Sequence, residues 1–444
     1  MKATYKMASL AILAALCLFG TAATPVCAQD PAAGGGSAPK YTMAEYNAYQ
    51  AAASEKDPAT QIRLLDDFVS KYPASSLLNY VYPLYYRNYA GQKNFPKTIQ
   101  YVDKYVALGD AATTPGDRYQ AYSIRAYAYN NIPNPEATLA KGAYDASLAG
   151  VKAVDGLPKP EGYDDAKFAE EKKKAVIGFY STAGNAAVTL KDYPNAVKAY
   201  KAVLALSPDE FITNYNLGKA YSAMTPPQTL DAIWSFARAA TSKTATEPQS
   251  KSVKTYLRKV VSNYQGGTVC DPLTDSELNE LYQLAATSVD RPASYQLFSS
   301  ADLDTARKDM TIASVVTDLK SGGDKSKVTW AAVCGADFPD VPGKILEVTA
   351  TSDGAVMKTA FVTSDAEFEA ASTPNMEWKV AGQPEAAKLE KGNPVRVSGT
   401  LASYDPDPAF MLHWDKAKVN AEDLPKEKAA PKKPPVRKPV PKKP

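Results

Sequence analysis

The chain has 444 residues, and its 51 lysines and arginines nearly balance its 48 aspartates and glutamates. The single histidine, His413, excludes a histidine-clustered metal site within one chain, and the four cysteines form no Cys-x-x-Cys pair of the kind that holds structural zinc. The sequence contains no phosphate-binding glycine loop, nucleophile elbow or metalloprotease helix. We therefore expect a non-enzymatic protein of two or three domains with no metal and no cofactor.

Residues 1–28 have the pattern of an export signal. Lys2 and Lys6 precede an apolar stretch from Leu10 to Phe19, and small residues lie just before a cleavage point after Ala28. An uncleaved membrane anchor is the alternative, but the apolar stretch is short for a hydrocarbon core of about 30 Å. We expect a periplasmic or secreted protein in an oxidising compartment, with no transmembrane segment after cleavage.

The two ends of the mature chain differ in composition from its body. Residues 29–40 include three consecutive glycines and predict a flexible leader, whereas 425–444 hold seven prolines, seven lysines, one arginine and one glutamate, a net charge of +7. Residues 29–424 carry a net −6. An alternation of proline and lysine predicts a disordered, extended, polyproline-like tail. The tail would adhere to an anionic envelope polymer or an acidic partner, or it would only solubilise the chain.

One segment from 177 to 210 and the next, from 214 to 239, share one pattern of small and aromatic residues. Gly184 and Gly218 stand where two helices would cross, since a larger side chain would hold the helices apart. Tyr200 and Phe236 follow in the second helix of each pair and would fill the gap. Pro208 ends the second helix of the first segment.

The phrases 191–196 and 216–221 resemble the second-helix and first-helix consensus of the tetratricopeptide repeat, a helix-turn-helix unit of 34 residues. Weaker copies lie upstream, so we expect about five helix pairs plus capping helices over residues 41–290. The resemblance implies a mainly α fold, a right-handed α-solenoid whose concave wall is lined by the first helices and binds a protein or peptide. By repeat register, the groove-facing residues would be Ser181, Asn185, Val188, Tyr215, Lys219 and Ser222.

Within this groove, Asn185 would hydrogen-bond the backbone of an extended peptide, and Lys219 would receive an acidic group. The alternative is that these residues are only the solvated face of the array. Twenty-six of the 28 tyrosines lie between Tyr41 and Tyr295, and those at helical spacing, such as Tyr82, are typical of packing. A tyrosine-lined groove for peptide or glycan stacking is the second interpretation.

Residues 300–424 predict a second, smaller module. A helical stretch over 301–320 and a turn at 321–324 precede a change from period 3.6 to period 2, and Thr274 to Glu277 reads as a capping box that opens an earlier helix. A short helical segment at 384–389 separates the third and fourth strands, and this arrangement is similar to a small OB-type barrel. The predicted strands are 344–350, 355–363, 376–381, 394–402 and 409–413.

The charge of this module argues against nucleic-acid binding, because residues 341–424 hold eight basic and thirteen acidic residues. The remaining roles for this module are contact with a protein or structural capping of the repeat array. Cys270 and Cys334, the only cysteines after the predicted cleavage, form either a disulfide or two separate buried thiols. Together these patterns predict an exported scaffold with a cationic tail; the alternative is an accessory or carbohydrate-binding factor of a cell-envelope enzyme system.

Overall fold

A computed structural model describes residues 40–293 and 295–425. The predicted signal 1–28, the leader up to residue 39 and the tail from residue 426 therefore lie outside the described residues. The chain divides into two compact units: the residues up to Leu257 together with Leu281–Pro292, and Arg258–Glu280 together with the residues from Ala293 onward. Among the described residues, no helix is both long and apolar enough to cross a membrane.

Helices build the first unit and continue to residue 287. Each of the first nine packs against the next in sequence, and the first helices of neighbouring pairs also touch, α3 with α5 and α5 with α7. The predicted solenoid of helix pairs is confirmed. The helices are α1 (Met43–Ser54), α2 (Pro58–Lys71), α3 (Leu78–Gly91), α4 (Phe95–Val106), α5 (Pro115–Asn130), α6 (Ala137–Asp155), α7 (Asp165–Thr189), α8 (Tyr193–Leu206), α9 (Phe211–Ala223), α10 (Thr229–Thr241), α11 (Glu247–Tyr264) and α12 (Asp271–Thr287).

Glycine permits the close helix crossings in this unit. A Cβ atom built at Gly184 would lie 2.4 Å from the Tyr200 ring, and one at Gly218 would lie 2.7 Å from the Phe236 ring. Tyr200 is 2% exposed and Phe236 is fully buried. Each glycine thus accepts an aromatic ring from the second helix of its own pair, in the space that a side chain at the glycine would need.

The turns inside the pairs share a backbone conformation. Lys93 and Lys191, which follow the first helices of their pairs, both have a φ of 58°, in the left-handed region. The next residues, Asn94 and Asp192, cap the second helices through side chains that accept backbone N–H groups. These side chains satisfy N–H donors that an uncapped helix would leave unpaired.

Arg238 on α10 is a buried cation that ties three segments of the first unit together. Its guanidinium donates to the carbonyls of Ala285 and Ser288, both at 2.9 Å, and to the carbonyl of Pro208 at 2.7 Å. Burial lowers the pKa of this group from its usual range. The positive charge meets the carbonyl end of α12, where the helix dipole favours a cation.

The second unit contains a closed five-stranded barrel preceded by three short helices, α13 (Ser300–Arg307), α14 (Ile312–Ser321) and α15 (Gly323–Val333). A further short helix, α16 (Asp365–Ala370), lies between the second and third strands, and a 3₁₀ helix at Pro384–Lys388 lies between the third and fourth. The strands are β1 (Asp337–Ala350), β2 (Gly354–Phe361), β3 (Met376–Ala381), β4 (Pro394–Asp405) and β5 (Met411–Val419).

The barrel closes in the order β1-β2-β3-β5-β4, with β1 paired to both β2 and β4. The pairing of β3 with β5 is parallel and the others are antiparallel. This arrangement confirms the predicted OB-like barrel. Trp378 and Trp414 stack inside it with ring centroids 4.5 Å apart, and the Trp378 indole donates to Thr359 at 2.9 Å.

The second unit contains a disulfide between Cys270 and Cys334, which are 64 positions apart in the sequence. Nearby, the Arg307 guanidinium donates to the Ala332 carbonyl at 2.9 Å and to the Thr268 hydroxyl at 2.7 Å. The bond and these contacts join the segment before α12 to the C-terminal end of α15.

Glu277 gives the second unit a pH-dependent stability. Burial raises the pKa of its carboxyl, and a hydrogen bond from Gln265 at 2.9 Å partly offsets the rise. Because the folded state keeps its proton to higher pH than the unfolded state does, the free energy of unfolding falls as pH rises above about 4.5 through the folded pKa.

We expect Glu277→Gln to raise the free energy of unfolding at pH 7 by about 1 kcal/mol, because no buried charge then forms. The gain should vanish near pH 4, where the wild-type carboxyl is protonated as well. Urea unfolding at both pH values measures this, with Glu390→Gln at an exposed position of the same unit as the control. Equal gains at the two pH values would contradict the titration.

Candidate functional site

The six predicted groove residues lie on the first helices of two neighbouring pairs, three on α7 and three on α9. Asn185, Lys219 and Ser222 are exposed, and Ser181, Val188 and Tyr215 are half-buried. Each residue on α7 has a counterpart on α9 one repeat of 34 residues later. The two sets therefore occupy the same positions in successive repeats.

Asn185 is held in place by the helix crossing beneath it. The Tyr200 hydroxyl donates to its Oδ1 atom at 2.9 Å, while the Tyr200 ring packs on Gly184. Burial raises the pKa of Tyr200, so its hydroxyl stays a hydrogen-bond donor at physiological pH. With its oxygen engaged, the exposed Asn185 side chain offers a partner its amide N–H groups, which suit carbonyl oxygens.

Lys219 lies above an aromatic group on α9. Its ammonium is 5.6 Å from the centre of the Tyr215 ring, which in turn lies 5.7 Å from Phe236 and 6.2 Å from Phe211. Lys219 is the only charged residue on α9. The exposed surface of this helix is therefore positively charged, and the charge lies above a group of aromatic rings. Ser222 is engaged locally, since its hydroxyl donates to the Gly218 carbonyl at 2.9 Å.

Tyr256 on α11 is a further exposed residue of this region that the sequence reasoning missed. It is 44% exposed, and its ring meets Phe236 edge-on with centroids 5.1 Å apart. On the same helix, the Lys254 ammonium lies 5.1 Å from the Tyr282 ring. Tyr256 is at no consensus position of the repeat. The only sequence signal for its contact with Phe236 is that it lies on the next predicted helix.

Side chains of the types that often act in catalysis make structural contacts here. His413 in β5 is half-buried between two carboxylates, with Glu377 3.2 Å from Nδ1 and Asp405 2.9 Å from Nε2. Over residues 40–293 and 295–425, no group of three or more His, Cys, Asp or Glu side chains could hold a metal ion. The disulfide engages both Cys270 and Cys334.

Comparison with protein families agrees with this architecture. A family model described as a TPR repeat matches residues 184–224. The match contains Asn185, Val188, Tyr215, Lys219 and Ser222, and it begins just after Ser181. No curated protein matches the chain. A tetratricopeptide array is typical of non-catalytic scaffolds that hold other proteins on an extended surface.

Proposed function

We propose that the protein is an exported, non-enzymatic scaffold that binds a protein or peptide partner on the first helices of its repeat array. The observation that carries the proposal is the shared register of Asn185 and Lys219. Both are exposed, both stand one residue after a crossing glycine, and the family match contains both. Hydrogen bonding at one repeat and a positive charge at the next would favour an extended segment that carries an acidic group.

The remaining parts of the proposal rest on the sequence. The pattern of residues 1–28 supports export, and the net +7 of residues 425–444 supports attachment to an anionic polymer of the envelope. The net −5 of residues 341–424 makes the barrel a poor binder of nucleic acid and suits protein contact. A second candidate, an accessory factor that binds carbohydrate, is supported by half-exposed tyrosines such as Tyr80, whose exposed fraction is 50%.

Photo-crosslinking tests the partner site. A photoreactive residue at Lys219 should capture a defined partner from a periplasmic extract, whereas one at Lys198, which is exposed on α8, should not. Lys219→Glu should weaken binding of the identified partner about tenfold, and Lys198→Glu should leave it unchanged. Deleting 425–444 should preserve the crosslink but abolish sedimentation with envelope polymer. Equal capture at Lys219 and Lys198 would overturn the partner site. Sedimentation that depends on the tyrosines of the array instead of residues 425–444 would overturn the role of the tail.

A further inference from the structure

Four tyrosines of the third and fourth helices contact one another inside the first unit, and we call them the tyrosine cluster. Tyr82, Tyr85 and Tyr89 lie on α3, and Tyr101 lies on α4. The Tyr101 ring stacks on the Tyr85 ring with centroids 3.9 Å apart. The Tyr89 ring lies 5.6 Å from Tyr101, and the Tyr82 ring lies 6.3 Å from it. The stacked pair is buried, whereas Tyr82 and Tyr89 are half-buried and so partly exposed to solvent.

One carboxylate lies beside this cluster. Asp66 on α2 is exposed, and it accepts a hydrogen bond from the Tyr85 hydroxyl at 2.6 Å. A distance this short is typical of a charge-assisted bond between a hydroxyl and a carboxylate. Burial, and next the bond to Asp66, raise the pKa of Tyr85, so its hydroxyl keeps its proton at neutral pH. Burial and then the charge of Asp66 raise the pKa of Tyr89 and of Tyr101 as well.

The position of Asp66 matters because an oxidised tyrosine must release a proton. When a phenol loses one electron, it becomes a strong acid, and the positive charge that it would otherwise carry is costly in an apolar core. Asp66 is a proton acceptor within hydrogen-bond distance of the Tyr85 hydroxyl. Since Asp66 is exposed, its carboxyl can pass the proton on to water.

The two stacked rings have neighbours of opposite charge. The Lys104 ammonium lies 4.7 Å from the centre of the Tyr101 ring. The Asp66 carboxylate is instead bonded to Tyr85. A positive charge opposes the removal of an electron from a nearby ring, and a negative charge favours it. Of the two rings, Tyr85 is therefore the one from which an electron is more easily removed.

We propose that the tyrosine cluster is a site of one-electron oxidation at which Tyr85 holds the radical. A one-electron oxidant, such as an oxygen-centred radical, meets the cluster at its partly exposed members, Tyr82 and Tyr89. The O–H bond of Tyr85 then breaks. Its electron passes through the stacked Tyr101 ring to the oxidant, which is reduced by one electron, and its proton passes to Asp66. Tyr85 is left as a neutral phenoxyl radical.

This inference goes beyond the partner site, since it uses α2, α3 and α4 rather than α7 and α9. It gives the protein a second activity, the removal of radicals from its surroundings. It also gives a chemical role to tyrosines whose helical spacing indicates only packing.

Photo-oxidation of the full chain tests the proposal, with a ruthenium tris-bipyridyl sensitiser and persulfate as the source of one-electron oxidants. Electron paramagnetic resonance should detect a long-lived tyrosyl radical. Tyr85→Phe should remove this signal, because phenylalanine has no hydroxyl proton to transfer. Asp66→Asn keeps an acceptor oxygen for the hydroxyl but cannot take up the proton, so it should slow formation of the signal about 100-fold, the lower range for loss of a positioned base.

Two matched controls separate this site from the other tyrosines and carboxylates. Tyr256→Phe removes the hydroxyl of an exposed tyrosine on α11, and Asp67→Asn removes an exposed carboxylate next to Asp66. Both should leave the rate of formation and the lifetime of the signal unchanged. A long-lived signal that survives in Tyr85→Phe, or that forms equally fast in Asp66→Asn and the wild type, would contradict the proposal. Neither measurement involves Lys219, so this inference and the partner site fail separately.

Discussion

Replacing Gly184 with valine should lower the free energy of unfolding of the array by about 3 kcal/mol, the upper range for overpacking a well-filled core. The first atom of any side chain here would lie 2.4 Å from the Tyr200 ring, and two more ring atoms lie within 2.9 Å. Tyr200 is 2% exposed and hydrogen-bonded to Asn185, so it has little freedom to move aside. Urea unfolding followed by far-ultraviolet circular dichroism, which reports the helices, measures the loss.

Gly178, two turns earlier on the same helix, is the matched control. A Cβ atom there meets nothing within 4 Å, so Gly178→Ala should stabilise the array by about 0.5–1 kcal/mol through its better helix propensity. A smaller ring partner should compensate: Tyr200→Leu should cost less in the Gly184→Val background than in the wild type. If Gly184→Val and Gly178→Ala changed stability alike, the crossing would not be the close contact described.

The same residues explain why the helical array could be predicted from the sequence. A glycine on one helix and an aromatic residue on the next form a single packing contact. The same pair recurs at Gly218 and so defines the length of the repeat. Gly142 and Gly150 on α6 make equally close contacts, with Arg125 and Phe179. There the glycine lies on the second helix, and the larger side chain comes from α5 or α7. Because this order departs from the repeat consensus, it gave no sequence signal.

The errors in the second unit have local causes. The predicted turn at 321–324 is a short break between two helices: α14 ends at Ser321, Gly322 has a φ of 67°, and α15 begins at Gly323, where the change to period 2 was expected. Thr274 opens no helix: α12 begins at Asp271, and the Thr274 hydroxyl donates back to the Cys270 carbonyl inside it. In both cases the residues are of the types that form turns and helix caps. The sequence pattern places them on the wrong side of the point where the helix begins.

Strand ends were misplaced where the ladder is irregular. β1 begins at Asp337 rather than 344, and its pairing with β4 shifts between Phe338 and Val341. β5 extends to Val419 rather than 413, and its pairing with β4 shifts twice. A bulge inserts a residue and breaks the alternation of buried and exposed side chains, so a period-2 pattern ends at the bulge although the strand continues.

The candidate site was predictable only where a consensus defines the register. Ser181, Asn185 and Lys219 follow from their spacing to Gly184 and Gly218. The hydrogen bond that orients Asn185 does not follow from the consensus, because it depends on a contact between two helices.

Removing the Cys270–Cys334 bond should lower the free energy of unfolding of the second unit by about 4 kcal/mol, the chain-entropy value for a closed loop of this length. The bond joins two segments that are 64 positions apart, so without it the unfolded chain gains conformational freedom. Three of the four tryptophans, Trp330, Trp378 and Trp414, belong to this unit. Tryptophan fluorescence during urea unfolding therefore reports the transition concerned.

The comparison needs the oxidised protein, the protein reduced with dithiothreitol, and the double variant Cys270→Ser/Cys334→Ser. The reduced protein and the variant should share a lower midpoint, and dithiothreitol should not shift the variant further. The helical transition of the first unit, to which neither cysteine belongs, should keep its midpoint. A common midpoint for the oxidised and reduced proteins would mean that the helices and barrel of this unit hold together without the covalent link. In that case the stability of the unit would come from its apolar core and from contacts such as those of Arg307 with Ala332 and Thr268.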